Sequence, residues 1–153
     1  MKRTIGLLLA GLLLLAPGCR RKTGPAGPEK ETRSPADTLQ SQELSLYDKP
    51  LAEIKKYVDG KWELVSSESP QESCEYANTF IEFKGDEYVW TENNRPEPGA
   101  LNWRLADTGN GYRSYLMDVF YADRPSYPLA LKGDTLYIRD CTPTAFLYKL
   151  VRR

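Results

Sequence analysis

The sequence contains no histidine. That absence removes the side chain that most often acts as a general base near neutral pH and as a metal ligand. An excess of one charge is equally lacking: 21 Lys and Arg stand against 21 Asp and Glu. No strong field therefore draws the chain toward nucleic acid. No Ser-centred nucleophile elbow and no phosphate-cradling glycine loop occurs. Carboxylates such as Asp107, Asp118, Asp123 and Asp140 are present, but nothing in their spacing selects a pair for acid–base work. Asp107-Thr108-Gly109-Asn110-Gly111 reads as a hairpin turn rather than a calcium loop. The expectation is a non-enzymatic chain with no catalytic residue, no metal site and no cofactor. A membrane-spanning run is missing too. Ile5 to Ala16 is charge-free, but at twelve residues it falls short of the roughly 20 that a spanning helix needs.

That short run is nevertheless informative. Lys2 and Arg3 precede it, and the small residues Ala16-Pro17-Gly18 separate it from Cys19. The length suits the apolar region of a signal peptide. Small residues abutting a cysteine resemble the lipobox of bacterial lipoproteins. The resemblance implies cleavage before Cys19, acylation of Cys19, and a membrane partner reached through the lipid anchor. Each buried methylene contributes about 0.8 kcal/mol, and two or more chains hold where one binds reversibly. Arg20 occupies the second mature position, where Asp would mark inner-membrane retention in the enteric sorting rule. The implied address is the cell envelope, anchored to the outer membrane.

The expected organisation is a signal peptide over 1–18, a disordered tether over 19–49 and a folded domain over 50–153. From Arg20 to about Asp48 the chain is rich in Pro, Thr, Ser, Glu, Lys and Gln, a composition that buries too little surface to offset its ordering entropy. Such a tether reaches roughly 30 Å on average. Pro50 suits a first helical position, Leu51, Ile54, Tyr57 and Val58 recur at helical spacing, and Gly60 ends the run. Beyond it the period changes to two, through Trp62–Leu64, Ile81–Phe83, Leu101–Leu105, Tyr115–Val119, Leu129–Leu131, Leu136–Ile138 and Phe146–Leu150. Lys84-Gly85-Asp86, Lys132-Gly133-Asp134 and Asn110-Gly111 punctuate these runs as turns. The pattern predicts an all-β fold: a small antiparallel up-and-down β-barrel of about eight strands, preceded by one short helix.

A short helix followed by Gly60-Lys61-Trp62 at the first strand and a meander of strands resembles the lipocalins and the wider calycin group. The resemblance implies that Trp62 plugs one barrel end with a late arginine stacked on it, either Arg152 or Arg139. It also implies a small, partly apolar ligand. Trp90, Trp103 and Tyr115 are candidate lining residues. Two polar or aromatic loops are further candidates, Glu92–Gly99 with Arg95 and Tyr121–Pro128 with Tyr121, Arg124 and Tyr127. An eight-stranded barrel can equally be filled by its own side chains. The alternative partner is then an envelope protein. With Cys19 acylated and the domain beyond the cytoplasm, the remaining cysteines, Cys74 and Cys141, are expected to form a disulfide.

Overall fold

The computed structural model describes residues 19–21, 43–121 and 124–153. The expected signal peptide, and residues 22–42 of the expected tether, lie outside the described residues. Among these residues one helix, α1 (Leu51–Val58), accompanies twelve strands: β1 (Cys19–Arg21), β2 (Glu43–Ser45), β3 (Gly60–Glu68), β4 (Glu72–Glu75), β5 (Thr79–Lys84), β6 (Glu87–Glu92), β7 (Arg95–Ala100), β8 (Arg104–Asp107), β9 (Arg113–Tyr121), β10 (Arg124–Lys132), β11 (Thr135–Asp140) and β12 (Leu147–Arg152).

Among the described residues every strand pair is antiparallel, and the sheet runs β7-β6-β5-β3-β12-β11-β10-β9-β8. The early strand β3 thus joins the last strand, β12, and the sheet curls on itself. It does not close. β7 and β8 follow one another in the chain yet lie at opposite ends of the strand order. The all-β antiparallel class with one short helix holds, while the closed barrel of about eight strands is corrected to an open sheet with more strands.

The cause of the opening is legible in the β6–β7 hairpin. Asn93 and Asn94 both have positive φ, 49° and 63°, as a two-residue hairpin turn of the favoured twist requires. Leu101 N–H donates to Asp86 O at 2.7 Å, which sets the phase of the ladder. Odd-numbered residues of β7 then bond to β6, and Pro96 and Pro98 face the free edge without an N–H to offer. Leu101 is also buried, so the chain dives into the core here rather than turning back on β7. The Glu92–Gly99 segment, expected as a loop, is largely this hairpin and edge strand.

Inward-facing residues fill the curl. Trp62, Leu64, Ile81, Met117, Leu136, Ile138 and Leu150 are fully buried, together with Ile54 and Val58 from α1. The expected tether also contributes at its end. β2 pairs with β10, and Leu46, just beyond β2, is fully buried. Residues Glu43 to Leu46, expected as tether, thus pack on the domain expected over 50–153.

One end of the sheet is held by a compact knot. α1 leaves carbonyls without intrahelical partners, as every helix does at its C-terminus. Trp62 Nε1 donates to Val58 O at 2.7 Å. Arg152 donates to Tyr57 O at 2.9 Å and to Asp59 O at 3.3 Å. The same guanidinium lies over the Trp62 ring, 4.2 Å from its centroid. Gly60 permits this approach: its φ is +122°, and a Cβ there would sit 2.9 Å from Arg152 Nη1. Arg139, the other candidate, is on β11 opposite Tyr127 and Leu147.

The expected Cys74–Cys141 bridge is not made, because Cys141 carries a free thiol. β3 and β12 stand between β4, which holds Cys74, and β11, which leads to Cys141. Three strand spacings amount to about 14 Å in the sheet, twice the reach of a disulfide. Cys74 is opposite Ser67 of β3 on one side and opposite Cys19 of β1 on the other.

Substitutions in the knot should rank by what they remove. Trp62→Ala is expected to cost about 3–5 kcal/mol and Arg152→Ala about 1–2 kcal/mol. Gly60→Ala should cost at least about 1 kcal/mol, through strain and displacement of Arg152. Urea denaturation midpoints check the order; an unchanged midpoint in Gly60→Ala would show that the close approach is not needed.

Candidate functional site

The open seam creates a cleft. A cavity of about 300 Å³ is bounded by Tyr88 and Trp90 of β6, Glu97 and Pro98 of β7, and Val119 and Phe120 of β9. A second space of about 440 Å³ shares Trp90 and Glu97 with it and extends along Glu92, Asn93 and Arg95. Both volumes fall in the range of small-molecule sites.

Strand register explains this lining. On the face of β6–β7 that continues the buried face of β5, Tyr88 is opposite Gly99, Trp90 opposite Glu97, and Glu92 opposite Arg95. Gly99 lets the Tyr88 ring lie across the strand, since a Cβ there would come within 2.3 Å of it. The aromatic wall is fixed by its neighbours. Phe120 stacks on Tyr148 with centroids 3.8 Å apart and planes 3° apart, and Trp90 meets Phe120 edge-on at 6.0 Å. Such contacts add about 0.5–1.5 kcal/mol each beyond burial, so the wall is preformed. Among the described residues, no side-chain hydrogen bond or ion pair engages Glu92, Arg95 or Glu97.

Of the residues singled out from the sequence, Trp90 and Arg95 line this cleft. Trp103 lies in the β7–β8 connection and donates to Gly85 O at 3.4 Å, and Tyr115 packs against the core from β9. Tyr121 ends β9 and Arg124 opens β10, their backbones opposite one another. Tyr127 is fully buried. Its hydroxyl meets the Tyr112 hydroxyl at 2.7 Å and accepts from Asn110 Nδ2 at 3.4 Å. Tyr47 packs on Tyr112 with centroids 4.5 Å apart. Tyr127 thus secures the β8–β9 turn and takes no part in the cleft. Glu97, Val119 and Phe120 were not singled out in the sequence. Glu97 sits within the polar Glu92–Gly99 segment, but Phe120 carries no signal apart from its strand.

Near this tyrosine cluster, burial and the charge of Asp140 push the Cys141 thiol up to about 11 from the usual 9.0. Asp140 is occupied in part by Thr142, whose N–H and hydroxyl donate to Oδ1 at 3.1 and 2.7 Å. A thiol so held is a poor nucleophile near neutrality. Burial and the bond to Tyr112 likewise carry the Tyr127 hydroxyl far above the ordinary tyrosine range. Among the described residues, no group of three Asp, Glu or Cys side chains is placed to hold a metal ion.

Comparison with protein-family models, with curated proteins and with solved structures finds no match. The chemistry of the cleft must therefore be read from its own residues.

The two raised groups fix a pH dependence. The unfolded chain releases the Cys141 and Tyr127 protons at lower pH than the folded chain does, so above about pH 9 it binds fewer protons. Stability should be complete below that pH and fall as pH rises through 9 to 11 and beyond. Urea midpoints at about pH 8 and pH 10.5 measure the loss. Cys141→Ser should reduce the part between pH 9 and 11, and Tyr127→Phe the part above 10.

Proposed function

We propose that the protein is a lipid-anchored lipoprotein of the bacterial cell envelope whose lipocalin-like domain binds a small, partly apolar molecule in the seam cleft. The observation that carries the ligand reading is the unpaired β7–β8 seam, beneath which Trp90 and Phe120 form a preformed aromatic wall. A cleft of this size suits a molecule with a short hydrocarbon or ring portion and one polar end. The anchor reading rests on Lys2, Arg3, the run Ile5–Ala16 and Cys19. Among the described residues no helix is long and apolar enough to cross a membrane. The proposed address is the outer membrane.

One observation favours a second reading, a filled sheet acting as a protein-interaction module. The interior is packed with Trp62, Phe83, Tyr148 and aliphatic side chains, so a ligand can enter only at the seam. β8 also ends the strand order and exposes Leu105, at 47%. An extended segment of a partner could add to that edge.

Two measurements test the leading reading. Metabolic labelling with palmitate should mark the wild-type protein in a bacterial host and be lost in Cys19→Ala; equal labelling of both would remove the anchor. Titration with octanol should shift tryptophan emission saturably. Trp90→Leu should weaken that binding about tenfold. A solid interior with no saturable octanol response would leave the interaction reading in its place.

A further inference from the structure

We infer that the seam cleft selects ligands that carry a positively charged head on an apolar body. The inference rests on the ligand-binding reading above and names its ligand class. Three charged side chains line the cleft: Glu92, Arg95 and Glu97. The facing wall, Val119 and Phe120 of β9, adds none. Two carboxylates against one guanidinium leave one uncompensated negative charge.

Register decides where that charge lies. Glu92 and Arg95 are directly opposite one another at the turn, so their charges can offset each other across the hairpin. One rung further from the turn, Glu97 is opposite Trp90. The next rung, Tyr88 and Gly99, is uncharged. Glu97 thus shares its rung with an indole, within a lining that carries one net negative charge.

A carboxylate beside an aromatic face is a recognition pattern for ammonium groups. The ring quadrupole attracts a cation over its face, tryptophan most strongly, and the carboxylate supplies the opposite charge. An anionic head at the same place would meet Glu97 and the negative face of Trp90. Phe120 then borders the space for the apolar body, in edge-to-face contact with Trp90 at 6.0 Å. Arg95 is the only cation in the lining.

The test compares three probes with the same eight-carbon chain: octyltrimethylammonium, octanol and octyl sulfate, each titrated against the protein by tryptophan fluorescence at low ionic strength. The cation should bind about tenfold more tightly than octanol, and the sulfate more weakly than octanol. Glu97→Gln should bring the affinity for the cation down to that for octanol measured on the same variant. Glu97 is exposed on an edge strand, so the variant should keep its fold, which an unaltered urea midpoint confirms. Saturable octanol binding with no preference for the cation, or a preference that survives in Glu97→Gln, would overturn the charge selection alone. Failure of all three probes to bind would overturn this inference and the ligand-binding reading together.

Discussion

The knot at the C-terminus of α1 is the contact on which the rest of the domain is arranged. A helix only eight residues long is marginal on its own, and its last carbonyls would be a cost if buried unmet. Trp62 and Arg152 meet them from β3 and β12, the two strands whose pairing curls the sheet. One cluster thus ties the helix and the chain's late segment to the start of the sheet. The indole supplies buried area and one donor, and the guanidinium supplies charge-assisted donors and covers the ring. Lys55 and Arg153 add ion pairs with Asp86 and Glu63 nearby, but exposed pairs of this kind contribute little.

What the sequence made legible follows from physical signals that are local. The period of two, the Gly-Asp turns and the Gly60–Trp62 pattern depend on near neighbours, and the strands they indicate are present, except that Leu101 to Trp103 of the expected Leu101–Leu105 strand form a connection before β8. The Arg152–Trp62 contact was reachable only through the family resemblance, since it joins residues far apart in the chain. Strands missed in the reading have a common trait. β4, with Ser and Cys between glutamates, and β7, with two prolines, lack the alternation of a buried strand. Tertiary pairing rather than propensity makes them strands. β2 was hidden in the same way: Leu44 and Leu46 were too few to stand out from the polar segment around them.

The cleft was half legible for a related reason. A preference for loops as binding elements drew attention to Glu92–Gly99, and Arg95 and Glu97 lie there. It drew equal attention to Tyr121–Pro128, where Tyr127 is wholly structural. The facing wall could not be anticipated, because Val119 and Phe120 come to the seam only when the sheet fails to close. Closure is a global property, and it fails here through the direction in which two proline nitrogens point. The same global geometry separates Cys74 from Cys141, which compartment and count alone would have joined.

The prolines of β7 also bear on how copies of the protein behave side by side. An open sheet offers two different edges, and joining one molecule's β8 to the next molecule's β7 would be a head-to-tail contact that need not close. Repeated from copy to copy, such contacts would grow into a continuous intermolecular sheet. Pro96 and Pro98 remove two donors from the β7 side of that contact. The β7 edge is thereby kept from serving as a template for polymerisation.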